Sequence, residues 1–340
     1  MSDRPQYERP VLVRHQMGMM NKFTRAQAAR PQTHIAGVSV DELLETYGSP
    51  LYVFSEQSLV DRYRDLRDQL CLRWPKVRLA WSYKTNYLDA VCKVFHREGS
   101  WAEVVSEFEY DKARHLGVSP DHIHFNGPYK PEGALTKALV EGAMVHIDHF
   151  DELALAERIA QQKGITPKVA LRLNMSTDGT PQWSRFGFNL DTGQARDAVR
   201  RLRSGGALDL AGLHCHLGTF IQEPQVYRQA AEKIAGFANG LRTEFGIVLD
   251  FIDLGGGIAS RNTLHAQYLP GDQVTPPFSR YAEAIADGLG HLDYPAEEMP
   301  TLVLETGRAL VDDAGFLVST VLANKRLQDG RRALVVDAGV

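Results

Sequence analysis

The stretch MVHIDHFDELALAERIAQQKGITPKVALRLN (144–174) decides the fold. MVHID (144–148) is a short β-branched run, DELALAERIAQQ (151–162) repeats apolar residues at helical spacing, and KVALRLN (168–174) reads as a strand again. A strand, a helix and a second strand in close succession make a βα unit of a parallel sheet, since a parallel neighbour needs a crossover long enough to return the chain. The alternation extends both ways. VRLAWSY (77–83), WAEVV (101–105) and HIHFN (122–126) precede it, and DLAGLHCH (209–216), LDFIDL (249–254) and TLVL (301–304) follow. Helical patterns such as PQVYRQAAEKIAGFANGL (224–241) fill the gaps. Eight βα units over roughly 250 residues predict an α/β fold, a closed (β/α)8 TIM barrel.

The ends lie outside that barrel. A strand at Leu51–Phe54 and a helix near 56–70 open the regular part, while GFLVSTVLANKRL (315–327) and RRALVVDAG (331–339) read as two antiparallel strands joined by a QDG turn. These strands begin a second, β-rich domain. The expected division is an N-terminal segment 1–50 joining the β domain, a barrel over 51–312, and the start of the β domain over 313–340. A lone hairpin is marginal, so more chain is expected to follow Val340.

Composition narrows the function. With 44% hydrophobic and 24% charged residues the chain is globular, neither fibrous nor disordered. Thirty-eight basic against 42 acidic residues give a net charge of -4 without a basic run, which argues against nucleic acid as a partner. Cys71, Cys92 and Cys215 are too scattered for a disulfide framework or a CxxC metal site, which points to a reducing, cytoplasmic setting. Residues 1–34 hold no apolar stretch of signal-peptide length, and nothing later approaches the roughly 20 apolar residues of a membrane helix.

Catalytic groups of such barrels sit at the C-terminal strand ends. Those positions carry Lys84, Glu103, Asn126, Asp148, Arg172, His216, the run Gly255-Gly256-Gly257, and Glu305 to Arg308. Singly, each has a bland explanation: a solvated lysine, a loop, an ion pair. Together they converge on one chemistry. A triple glycine after strand seven and an arginine after strand eight suit a phosphate dianion, through backbone N–H groups and a guanidinium. A lysine among aromatic residues (Trp81-Ser82-Tyr83-Lys84) can be partly desolvated, which lowers its pKa and makes the neutral amine available for a Schiff base. Pyridoxal phosphate needs both, and an acid for its ring nitrogen, which Glu305 can supply.

The residues GSPLYVFSE (48–56), WSYKTN (81–86), AEVVSEFE (102–109), SRFGFN (184–189), GLHCHLGTF (212–220), LGGGIA (254–259) and ETGR (305–308) carry a family resemblance. From about Val38 to Gly339 the chain resembles the fold-type III pyridoxal-phosphate decarboxylases, the family of diaminopimelate and ornithine/arginine decarboxylases, whose barrel is similar to that of alanine racemase. The resemblance implies Lys84 as the Schiff-base lysine, His216 as the imidazole stacked on the cofactor, and Glu305 as the partner of the pyridinium. It implies a phosphate cradle of Gly255, Gly256, Gly257, Gly307 and Arg308, with Thr219 where the family usually has serine. Glu103 corresponds to an acid near the lysine and Arg172 to an arginine under the cofactor. The implied activity is decarboxylation of an amino acid, diaminopimelate-like, basic or modified, by a homodimer with shared active sites.

Departures accompany the likeness. The family's SGGEL-like run is SEFEY (106–110), its EPGR is ETGR, and its short glycine-loop continuation is the long segment SRNTLHAQYLPGDQVTPPFSRY (260–281), where the family reads substrate side chains. Its C-terminal CxES motif, from which a partner-subunit cysteine helps reprotonate the product, has no match before Val340. Three alternatives stand beside decarboxylation: an alanine-racemase-like activity, a non-catalytic regulator, and a metal-dependent hydrolase built on the HxH pairs His122/His124 and His214/His216.

Overall fold

The computed structural model describes residues 32–179, 184–262 and 271–339. Eight parallel strands form the barrel: β1 (Val77–Ser82), β2 (Trp101–Val104), β3 (Ile123–Phe125), β4 (Met144–Ile147), β5 (Lys168–Asn174), β6 (Asp209–Cys215), β7 (Phe251–Asp253) and β8 (Thr301–Thr306). Each pairs with the next, and β8 returns to β1 with Glu305 opposite Ala80, which closes the sheet. Helices intervene, from Glu56–Cys71 through Phe150–Lys163 and Pro224–Phe245 to Phe278–Leu289. Several start on a side-chain acceptor: Ser55 Oγ accepts the Ser58 N–H, Ser106 Oγ the Glu109 N–H, and His149 Nδ1 the Glu152 N–H. Such caps satisfy first-turn donors that have no partner within the helix.

Strand alternation sorts the residues into two cores. Leu79 and Trp81 of β1, Val169 and Leu171 of β5, and Leu302 and Leu304 of β8 face the helices; Ala80, Ala170, Ala211, Phe251 and Val303 form a separate cluster. Phe251 fits there because its neighbour on β6 is Gly212, where a Cβ would lie 2.3 Å from the Phe251 ring. Leu59, Tyr63, Leu66 and Leu70 line the buried face of Glu56–Cys71, and each buried leucine contributes roughly 1.5–3 kcal/mol.

The chain divides into two compact units. One is the barrel, 54–262 with 271–316; the other contains the described residues 32–53 and 317–339. In the latter, Val321–Arg326 and Arg332–Val336 form the antiparallel pair expected from the QDG turn, with Gly330 at φ +82°. The run 315–327 is, however, two strands and not one. Gly315–Val318 is separate and pairs with Leu51–Phe54, because the chain breaks at Ser319–Thr320, where Thr320 N–H and Oγ are held by Asp337 and Ser49. Part of the long segment after the glycine run, 263–270, lies outside the described residues; its remainder includes the short helix Gly271–Val274 and the start of Phe278–Leu289. Among the described residues no helix is long and apolar enough to cross a membrane.

Candidate active site

Lys84 lies two residues past β1. Thr85 N–H donates to Ser82 O, folding the turn, and Tyr83 N–H donates to Glu103 O on β2, which brings Lys84 beside Glu103. The Lys84 ammonium pairs with Glu103 Oε2, and Asn126 Nδ2, just past β3, donates to Glu103 Oε1 at 3.1 Å and to Glu305 Oε1. The ends of β1 and β3 thus meet on Glu103 of β2, and Asn126 reaches on to Glu305 of β8.

This geometry corrects the expectation for Lys84. Its aromatic neighbours turn away: Trp81 stacks on Phe95 at 4.1 Å, and the Tyr83 hydroxyl meets His96 Nε2 at 2.8 Å. Burial works to lower the Lys84 pKa, but Glu103 and then Glu305 outweigh it and hold the ammonium above the ordinary lysine value. The amine is therefore charged in the cofactor-free site. Its side chain keeps 40% exposure toward the cleft.

Glu305 is buried, with Oε2 3.3 Å from His214 Nε2. Burial would raise its pKa, yet His214, Lys84 and His146 hold it well below the usual carboxylate range. His216, the next inward residue on its chain after His214, is lowered to about 3 by burial and by the Lys84 charge, so its imidazole is neutral. Arg172 on β5 lies 3.6 Å from Asp148 and over the Phe186 ring at 4.8 Å.

The glycine run follows β7. Gly255 and Gly257 have φ of +65° and +100°, a region that favours glycine. A Cβ on Gly255 would lie 2.4 Å from Cys215 O, on Gly256 2.3 Å from Glu305 O, and on Gly257 2.3 Å from Gly218 O. Backbone must approach backbone here, and only glycine permits it. Gly256 N–H donates to His216 Nδ1 at 3.3 Å, Gly255 O accepts the Glu305 N–H at 2.8 Å, and the Tyr227 hydroxyl donates to Gly256 O.

Two cavities sharing Lys84, His216 and Glu305 result. One, about 410 Å³, is lined by the glycine run, Thr219, Gly307 and Arg308; the other, about 250 Å³, by Glu103, Asn126, Arg172 and Phe186. Every catalytic or cofactor residue that the resemblance implies lines one or both; Asp148, also at a strand end, lines neither and pairs with Arg172. A phosphorylated pyridine fits this shape: a glycine cradle and guanidinium suit its phosphate, a neutral imidazole its ring face, and a buried anionic carboxylate its ring N–H. Asn126 and His214 also line the second cavity, and Asp253 lies on the strand adjacent to Glu305; of the three, the sequence places only Asn126 among the strand-end groups. The sequence pairs His214 with His216 as an HxH motif, and Asp253 carries no signal there beyond preceding the glycine run.

The HxH pairs do not converge. His122 is at the exposed edge, stacked on Trp101 at 5.1 Å, whereas His124 is buried, and His216 lines the cavities. The buried donors that gather within 4.8 Å of one another are instead His124, His146, Asp253 and Glu305.

A sequence model of the pyridoxal-binding domain of pyridoxal-dependent decarboxylases matches 56–312. A diaminopimelate decarboxylase of Halalkalibacterium halodurans is 30% identical over 315 residues, 90% of this chain and 70% of that protein; one from Bacillus subtilis is 29% identical over 327 residues, 93% and 73%. The crystal structure of diaminopimelate decarboxylase from M. jannaschii superposes with a TM-score of 0.80 at 27% identity, covering 89% of this chain and 70% of that one. A lysine/ornithine decarboxylase from Vibrio vulnificus, 20% identical with a TM-score of 0.72, covers 88% and 74% and shares the fold.

Proposed function

The chain belongs to the pyridoxal-dependent decarboxylase family, an enzyme of amino-acid decarboxylation with pyridoxal phosphate as cofactor, and on that premise we propose a diaminopimelate-like substrate and the following residue roles. Lys84 carries the cofactor through Nζ. Gly255, Gly256, Gly257, Gly307, Thr219 and Arg308 hold its phosphate. His216 covers one face of the ring, Glu305 keeps a proton on the ring nitrogen, and Glu103 and Arg172 orient the lysine and the ring edge. The single observation behind these roles is that Lys84, His216 and Glu305 are the residues shared by the glycine-lined and the arginine-lined cavity.

Bound pyridoxal phosphate supplies an electron sink for the pair left on Cα when CO2 departs. The chain's part is positional and protonic. Anionic Glu305 stabilises a positive ring N–H, and the neutral His216 imidazole packs without opposing that charge. Glu103 holds the Lys84 ammonium in place, and the buried Asn126 amide links it to Glu305, so lysine and ring-nitrogen acid keep a fixed relation.

Borohydride reduction followed by peptide mapping tests the assignment: a pyridoxyl group on Lys84 is expected, and its appearance on another lysine refutes it. That the relatives above are diaminopimelate decarboxylases supports diaminopimelate as substrate; CO2 release from an amino-acid panel checks it, and preference for ornithine or arginine would reject it. A homodimer is part of the same reading, supported by apolar side chains exposed on 317–336. Three free thiols suit a reducing, cytoplasmic setting.

A further inference from the structure

The site floor holds two buried carboxyl groups on adjacent strands, Asp253 of β7 and Glu305 of β8. Two such groups in a low-dielectric interior do not both ionise readily. The nearest charges from other strands are committed to one another, Lys84 to Glu103 and Arg172 to Asp148. Asp253 Oδ1 accepts the Gly255 N–H at 2.8 Å and Oδ2 faces His124 Nδ1 at 3.1 Å. Glu305 Oε1 accepts from Asn126, and Oε2 faces His214 Nε2 at 3.3 Å. Below them the His124, His146 and His214 rings pack with centroids 4.8 and 4.7 Å apart.

We propose that His214 and Asp253 are positioning residues for Glu305: His214 faces its Oε2 edge at 3.3 Å, and Asp253, through the Gly255 peptide, holds the stretch of β8 that carries it. This rests on the assignment of Glu305 to the ring nitrogen. The electrostatics agree, since burial and Glu305 push Asp253 well above the carboxylate range while His214 leads the groups holding Glu305 below it. Asp253 also ties the two halves of the site together. It holds the N–H of Gly255, whose carbonyl in turn accepts the Glu305 N–H. The same cluster has the donor types of a metal centre, but both Asp253 oxygens already face a nitrogen of the protein, while Glu305 lines the two cavities.

The test is holoenzyme reconstituted with pyridoxal phosphate carrying ¹⁵N in its ring, read by ¹⁵N NMR beside kcat and KM. Wild type is expected to show a protonated ring nitrogen. His214→Phe should move the signal toward the unprotonated position and lower kcat about 10–100-fold, the range for groups that orient a catalytic ligand, with little change in KM. His214→Gln, which retains an N–H donor, should recover much of both. Asp253→Asn, neutral at every pH, should hold the signal, whereas Asp253→Ala should shift it. An unshifted signal in His214→Phe, equal loss in the Phe and Gln variants, or a shift in Asp253→Asn overturns the proposal. So does one zinc per chain in the holoenzyme, lost in His146→Phe, since the cluster would then be a metal site. Glu305→Gln separates the premise: an unshifted signal there refutes the role of Glu305 itself, while a shifted one beside an unchanged His214→Phe refutes only the positioning role.

Discussion

At Lys84 a neighbouring charge decides what burial alone would reverse. Glu103 and Glu305 keep the ammonium protonated above the ordinary lysine value, so cofactor attachment, which consumes a neutral amine, is expected to quicken as pH rises. Glu103→Gln removes the nearer charge and lets burial act, which lowers the Lys84 pKa and shifts the profile to lower pH. Rates of cofactor uptake by apoprotein across pH check this, and coincident profiles for variant and wild type would reject it. Glu305→Gln acts at the next step. It leaves the glycine cradle and Arg308 intact, so cofactor should remain bound, while turnover falls about 10²–10⁴-fold, the scale of a lost positioned proton-transfer group. Near-normal turnover would show that Glu305 serves only structure.

At the scale of elements, the β7–glycine junction and the histidine layer are both exposed to simple tests. Gly256→Ala forces a Cβ to within 2.3 Å of Glu305 O at the end of β8; overpacking of this kind costs about 1–3 kcal/mol, and the shifted Glu305 should weaken cofactor affinity besides. Urea melts with cofactor titration measure both, and unchanged affinity would contradict the close approach. The imidazoles of β3 and β4 govern acid stability. His124 is lowered to about 4 and His146 well below its ordinary value, each chiefly by burial. A folded-state pKa below the unfolded value means the unfolded chain binds more protons under pH 6.5, so stability is complete above that pH and is lost on acidification toward 4. Each imidazole contributes about 1.4 kcal/mol per pH unit within that window. Glu305 adds loss in the same direction below 4.5, and Asp253, with its raised pKa, opposes it. His146→Phe should flatten the wild-type slope between pH 6 and 5 by about one proton, and parallel slopes would refute the claim. The strands themselves were legible to within a residue or two because both faces are buried and read as apolar runs; KVALRLN matches Lys168–Asn174 at both ends. β8 runs two residues past TLVL, since Glu305 and Thr306 pair with Ala80 and Trp81 and the Thr306 hydroxyl donates to Ala80 O. A polar strand end satisfied across the sheet leaves no hydrophobic mark, and for the same reason the His214–Glu305 and Asp253–His124 contacts, made between distant segments, could not be read from spacing.

At the scale of the molecule, the apolar residues outside the barrel bear on assembly. Leu317, Val321, Leu322 and Leu334 are 50–64% exposed, and Val335 and Val336 are also open. Val321 and Val336 are partners across the antiparallel pair Val321–Arg326/Arg332–Val336, and Asn324 faces Leu334, so all of these but Leu317 lie on one short two-stranded sheet. A two-stranded sheet is marginal by itself, and an apolar surface on it is stabilised by covering. Self-association through this sheet would supply the cover, and in a homodimer with shared active sites, turnover should follow the associated fraction. Leu322→Glu together with Leu334→Glu places charge where apolar contact is needed, a change that surface positions otherwise tolerate within about 0.5 kcal/mol. Sedimentation velocity on the holoenzyme should show wild type as a dimer at micromolar concentration and the double variant as a monomer with depressed turnover. A monomeric wild type at full activity would remove the homodimer from the functional reading, and a double variant that still dimerises would place the interface on another face of the chain.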